Sequence, residues 1–227
     1  MTFQRITYAS RVPTILSLVV CLLASGCARL SNTEKGAAVG AGAGTVVGGA
    51  IGKAAGSTAK GAILGAIVGG TAGAVIGQQM DRQAAELEQE LEDAEVQRIG
   101  EGIVVTFDSG ILFDFDSAGL REEARSNLRE LAQSLDEYDN TDVLIVGHTD
   151  AVGDASYNLA LSERRAASAA QYLATLGIPV NRVETSARGE AEPIASNDTD
   201  YGRQQNRRVE VAIYADEAYR EEIAESR

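Results

Sequence analysis

Asp150 and Arg165 stand in the stretch G-H-T-D-A-V-G-D-A-S-Y-N-L-A-L-S-E-R-R-A, residues 147–166. Asp150 ends an apolar run, V-L-I-V-G-H-T, that predicts a buried strand. Arg165 lies on the helix predicted next, with Asn158 and Ser162 at helical spacing on the same face. A strand end and a helix face then converge on one cleft. A ligand carrying both an ammonium and a carboxylate satisfies both charges there, the carboxylate through the two-pronged donor geometry that arginine offers and lysine does not. That chemistry is amino-acid recognition, not catalysis. Simpler roles exist for both residues: an aspartate at a strand end also caps a following helix, and a helical arginine also makes solvated ion pairs worth about 0–1 kcal/mol. His148, the single histidine, has no cysteine, serine-base arrangement or second histidine to work with, so a structural, hydrogen-bonding role is expected of it.

Four blocks in order, L-F-D-F-D-S-A (112–118), G-H-T-D (147–150), Y-N-x-x-L-S-x-R-R-A (157–166) and R-Q-Q-N-R-R-V-E (203–210), resemble the OmpA-like peptidoglycan-binding domain over residues 102–215. The resemblance implies an α+β fold, a βαβαββ mixed sheet with helices on one face. It also implies that Asp150 takes the ammonium and Arg165 the carboxylate of diaminopimelate in the peptide stem of the cell wall. Thr149, Asn158 and Ser162 match the polar positions around that ligand, and Asp116 matches a loop whose backbone contacts it. Arg164 places a second guanidinium beside the site. Arg203, Arg207 and Arg208 match the family's N-R-R block, either bracing loops or contacting ligand.

The residues themselves predict the elements that would hold this pocket. Ile103, Val105 and Phe107 alternate as a strand does, and 117–138 read as an amphipathic helix with Ala124, Leu128, Leu131 and Leu135 inward. A strand at 143–146 and a helix at 157–176 follow, the helix stopped by Gly177 and Pro179. Strands near 183–187 and at R-V-E-V-A-I-Y, ending at Tyr214, complete a mixed sheet. The tail, 216–227, is charged and expected as a short helix.

Upstream, Arg5 and Arg11 precede an apolar run at 15–23 and small residues, the pattern of an export signal over 1–26. A-S-G-C at 24–27 resembles a bacterial lipobox, which implies lipidation of Cys27 at the start of a tether, 27–35. Cys21 would leave with the signal, so no internal disulfide is available to the mature chain. Ala28 is not the aspartate that holds such lipoproteins at the inner membrane, so the resemblance implies the outer membrane, with the domain facing the periplasm.

Glycines recur every fourth residue at 36, 40, 44, 48, 52 and 56, then at 61, 65, 69, 73 and 77. On helices they form close-packing grooves of the kind used inside lipid, and Lys53 and Lys60 are the only charges between Gly36 and Gly77. The expectation is a membrane-associated glycine-zipper hairpin over 36–77, resembling an element of some outer-membrane lipoproteins, with a Gly/Ala-rich flexible spacer as the alternative. Residues 78–99 predict a helix whose stripe of Met80, Ala84, Leu87, Leu91 and Ala94 suits self-association or docking equally, within a linker, 78–101, that would hold the folded domain off the membrane.

Without the signal, 18 basic and 33 acidic residues leave a net charge of −15, which opposes nucleic-acid binding. No metal-ligand spacing, nucleophile with a base or acid/base carboxylate pair stands out, so neither cofactor nor enzyme chemistry is expected. Three functions remain in order: an outer-membrane lipoprotein gripping peptidoglycan noncovalently, a zipper oligomer or pore-like assembly positioned by the wall-binding domain, and, last, a wall-acting enzyme. The partners so implied are peptidoglycan, the outer membrane and a second copy of the chain.

Overall fold

A computed structural model describes residues 56–226. The export signal, Cys27, the tether and the first glycine register up to Gly52 lie outside the described residues.

A five-stranded sheet organises the domain. Its strands are β1 (Ala94–Ile99), β2 (Gly102–Asp108), β3 (Thr141–His148), β4 (Val183–Gly189) and β5 (Arg208–Ala215), in spatial order β1-β2-β5-β3-β4. Only β3 and β4 run parallel; the other neighbours are antiparallel. Around it lie α1 (Thr58–Gly65), α2 (Gly70–Glu90), the single turn α3 (Ser109–Leu112), α4 (Glu122–Glu137), α5 (Ala155–Thr175), α6 (Asp200–Asn206) and α7 (Glu217–Glu225). Read from β2 to β5, the major elements follow the expected βαβαββ order.

The pleat divides the three central strands, β2, β5 and β3, between two cores. Ile103, Val105 and Phe107 of β2, Val143 and Ile145 of β3 and Val209, Val211 and Ile213 of β5 face α2, α4 and α5 in the main core. Val104, Leu144, Val146, Ala212 and Tyr214 point the other way and form a second core with Ala59, Ile63 and Ala66, from α1 and its C-cap. Both faces are therefore covered, which explains why V-L-I-V reads as an unbroken apolar run rather than an alternation. The expectation of helices on one face holds for the βαβαββ core; α1 is an addition on the opposite face.

Two upstream expectations need correction. The second glycine register does not form one helix: the chain breaks between α1 and α2, where Gly69 and Gly70 take φ of +75° and +62°. The Glu101 carboxylate accepts the backbone N–H groups of Val68 and Gly69 at 2.8 Å each, anchoring the break to the β1–β2 turn. The helix expected over 78–99 stops at Glu90, and 94–99 pair with β2 in unbroken register from Ala94↔Phe107 to Ile99↔Gly102. Helix propensity there yields to strand pairing, with Asp93 at φ +56° making the turn. Nor does this helix stand off as a spacer. Ile76, Met80, Ala84, Leu87 and Leu91 are buried in the main core. Among the described residues no helix is long and apolar enough to cross a membrane.

Candidate functional site

β3 and α5 bring the site together where β3 ends. Gly147 is what allows the approach, because a Cβ there would collide with the backbone carbonyl of Ser162 on α5. Beyond it, capping of α5 falls to Asp154, whose carboxylate accepts the Ser156 N–H at 2.8 Å. Asp150 is thereby free of helix capping. One oxygen accepts the Val152 N–H at 3.0 Å, and the other forms an ion pair with Arg207 at 2.5 Å. The Asp150 side chain is 11% exposed against 39% for Arg207, so the carboxylate is largely buried and its partner reaches it from the surface.

Arg165 is 5% exposed. Its Nε donates to the Ser117 carbonyl at 2.9 Å and its guanidinium lies 5.1 Å from the Phe113 ring centroid, a cation–π arrangement. Its pKa is lowered, first by burial and then by the charges of Arg207 and Arg164, while Asp116 and Tyr157 act in the opposite sense. Those neighbours place Asp150's partner, Asp116 and Arg165 within one electrostatic cluster. Asp150 pairs with Arg207 and not with Arg165, so the two members of the predicted pair share a cluster without bonding each other.

Asp116 takes φ +57° in the 113–121 loop, which the Phe113↔Leu120 bridge closes, and accepts a hydrogen bond from the Tyr157 hydroxyl. That hydrogen bond is the main reason the Tyr157 pKa is raised. The helix expected from 117 begins at Glu122 because this loop intervenes.

Thr149, Asn158 and Ser162 are all buried around the Asp150 turn. Thr149 donates its N–H to the Gly189 carbonyl at 2.8 Å and its hydroxyl to the Asp150 carbonyl at 2.9 Å. The Asn158 amide reaches the carbonyls of Asp150 and Val152, both at 3.2 Å, and the Glu190 carboxylate at 2.7 Å. Ser162 accepts the Gly189 N–H at 3.0 Å and donates to the Leu159 carbonyl at 2.8 Å. Gly189, at φ +50° with the Leu159 backbone against it, has no room for a side chain. These polar residues are brought to the site, and their hydrogen bonds brace its backbone.

The arginine cluster at 203–208 separates into three roles. Arg203 donates to the Asn197 carbonyl, Arg207 goes to Asp150, and Arg208, 2% exposed, pairs with buried Glu210 at 2.7 Å. Spacing alone singles out neither Arg207 as the partner of Asp150 nor Tyr157 as the partner of Asp116; the R-Q-Q-N-R-R-V-E block signals the first only as one of three arginines. His148 is fully buried, yet neither ring nitrogen has a hydrogen bond, against the expected hydrogen-bonding role. Burial first, and then the Arg208 charge, push its pKa down to about 3, so it is a neutral residue under the sheet.

Residues 112–207 match the OmpA family, and residues 9–81 match the YMGG-like Gly-zipper. The chain is 48% identical over 83 residues to outer membrane protein A of Bordetella avium, covering 37% of this chain and 43% of that one. It is 44% identical over 78 residues to the peptidoglycan-associated lipoprotein of Brucella melitensis, covering 34% and 46%. It thus spans less than half the length of either relative. Among solved structures, the cell wall anchor of the T6SS from Pseudomonas aeruginosa is similar with a TM-score of 0.53 at 30% identity, over 60% of this chain and 97% of that one. The chain belongs to the OmpA family, its OmpA-like domain preceded by a glycine-zipper segment.

Proposed function

We propose that the chain is an outer-membrane lipoprotein that binds peptidoglycan noncovalently and so keeps the membrane attached to the wall. Asp150 takes the ammonium and Arg165 the carboxylate of diaminopimelate in the stem peptide. The observation that carries this reading is a pair of largely buried opposite charges in one electrostatic cluster, with Asp150 paired to Arg207 and Arg165 bonded only through its Nε. Arg207 acts as an internal counter-ion that keeps Asp150 oriented until an ammonium shares it. Thr149, Asn158 and Ser162 fix the backbone that aims Asp150, and Asp116 belongs to the 113–121 loop whose backbone contacts the ligand. Similarity to a peptidoglycan-associated lipoprotein and to a cell wall anchor supports the same reading. Anchoring through a lipidated Cys27 belongs to the proposal.

A zipper assembly is less well supported, because Gly61, Gly65, Gly69, Gly73 and Gly77 lie in or beside α1 and α2, which pack on the domain. The test is sedimentation of the full chain with purified sacculi. Asp150→Asn and Arg165→Ala each leave one ligand charge unpartnered, a loss of about 2–5 kcal/mol, so both variants should stay in the supernatant while remaining folded by circular dichroism. Sedimentation of the double variant to the parent's extent would overturn the site.

A further inference from the structure

The start of α1 and the wall pocket are attached to the same short turn. Ser57, the N-cap, reaches it indirectly: its hydroxyl donates to Glu210 at 2.7 Å, and Arg208, paired with Glu210, donates to the Glu192 carbonyl at 3.2 Å. Thr58 donates both its N–H and its hydroxyl to the Glu192 carboxylate, at 3.0 and 2.6 Å, and its hydroxyl accepts from Arg188 Nε at 2.5 Å. Arg188 and Glu192 also pair with each other at 3.1 Å. The two ends of the 188–192 turn are therefore gripped by one threonine.

The middle of that turn is the pocket's scaffold. The Gly189 carbonyl accepts from Thr149, the Gly189 N–H donates to Ser162, and the Glu190 carboxylate accepts from Asn158. Gly189 lies against the α5 backbone with no slack, so a shift of the turn must be passed on to residues 149–162.

We propose that Ser57 and Thr58 form a positioning clamp for the wall-binding pocket, holding the 188–192 turn so that the Asp150 segment keeps its ligand-ready shape. The affinity half of this inference rests on the proposed function of the pocket. Because α1 precedes the whole sheet in the chain, the grip on the wall depends on whether α1 stays docked. Undocking α1 removes the clamp and loosens the grip.

The test uses the full chain in detergent micelles, with three variants and two readouts. Thr58→Val removes the hydroxyl while keeping the branched shape, Thr58→Ser restores it, and Lys60→Ala alters α1 away from the turn. Amide hydrogen exchange without ligand reads the clamp directly. Thr58→Val should speed exchange at Thr149 and Gly189 by about tenfold and leave Val105 and Val211 in the sheet unchanged, with Thr58→Ser and Lys60→Ala matching the parent. Calorimetric titration with a diaminopimelate muropeptide should show about three- to tenfold weaker binding for Thr58→Val alone. Unchanged exchange at Thr149 and Gly189, or unchanged affinity with exchange accelerated, would overturn the clamp. Should the parent itself fail to bind muropeptide, the proposed function falls, and the exchange readout still decides whether the turn is clamped. Glu192→Gln, which keeps the shape of the acceptor, provides the same comparison should Thr58→Val fail to fold.

Discussion

At the scale of single residues, the candidate site holds two buried charges that are only partly satisfied. Asp150 has a counter-ion in Arg207, and Arg165 is held by a carbonyl and an aromatic face, so neither carries the full penalty of an unpaired buried charge. His148 beneath them is the opposite case, a titratable group kept neutral. Its folded pKa, about 3, lies below the ordinary 6.5, so the unfolded chain takes up the proton first. The stability this implies is complete above about pH 6.5 and falls by about 1.4 kcal/mol per pH unit as pH drops toward 3. Urea unfolding between pH 5 and 6.5 should therefore show a steep loss in the parent and a flatter one in His148→Gln; equal slopes would contradict it. Asp150 and Arg165 are legible in the sequence because a strand end and a helix face have fixed periodicities. Arg207 is not, since neighbouring arginines in Q-N-R-R-V-E differ only in where α6 ends and β5 begins, which sends Arg207 to the cleft and Arg208 under the sheet.

At the scale of elements, the surprise is upstream of the domain expected to begin at 102. α2 supplies a full stripe of the main core, and α1 closes the second face. Leu87→Ala, at a fully buried position, should cost about 2–5 kcal/mol in urea unfolding of the full chain, whereas a spacer helix would lose less than about 0.5 kcal/mol. A fragment starting at Gly102 would lack β1, α1 and α2 together. The stripe from Met80 to Leu91 is visible as helical periodicity, and docking is one of its two readings. The end of α2 is hidden because Glu, Leu and Gln favour helix strongly, while the decision to turn at Asp93 comes from pairing with β2. The unbroken V-L-I-V does carry the second face in advance: a strand apolar on both sides requires cover on both.

At the scale of the whole molecule, the proposed function has a protein of net charge −13 recognise a small doubly charged ligand through a pocket that the sheet and the proposed clamp support. Bulk charge cannot explain affinity for such a ligand, so recognition must come from two local charges of opposite sign acting together. Substitution at either end should then matter only to ligands that possess the matching group. The most direct measurement is calorimetric titration of the full chain with two muropeptides, one carrying diaminopimelate and one carrying lysine at the same stem position, which keeps the ammonium and lacks the carboxylate. The parent should prefer the diaminopimelate form by at least about tenfold, and Arg165→Ala should erase that preference by losing only the tighter complex. Equal affinity of the parent for both ligands, or a preference that survives Arg165→Ala, would contradict the two-charge pocket.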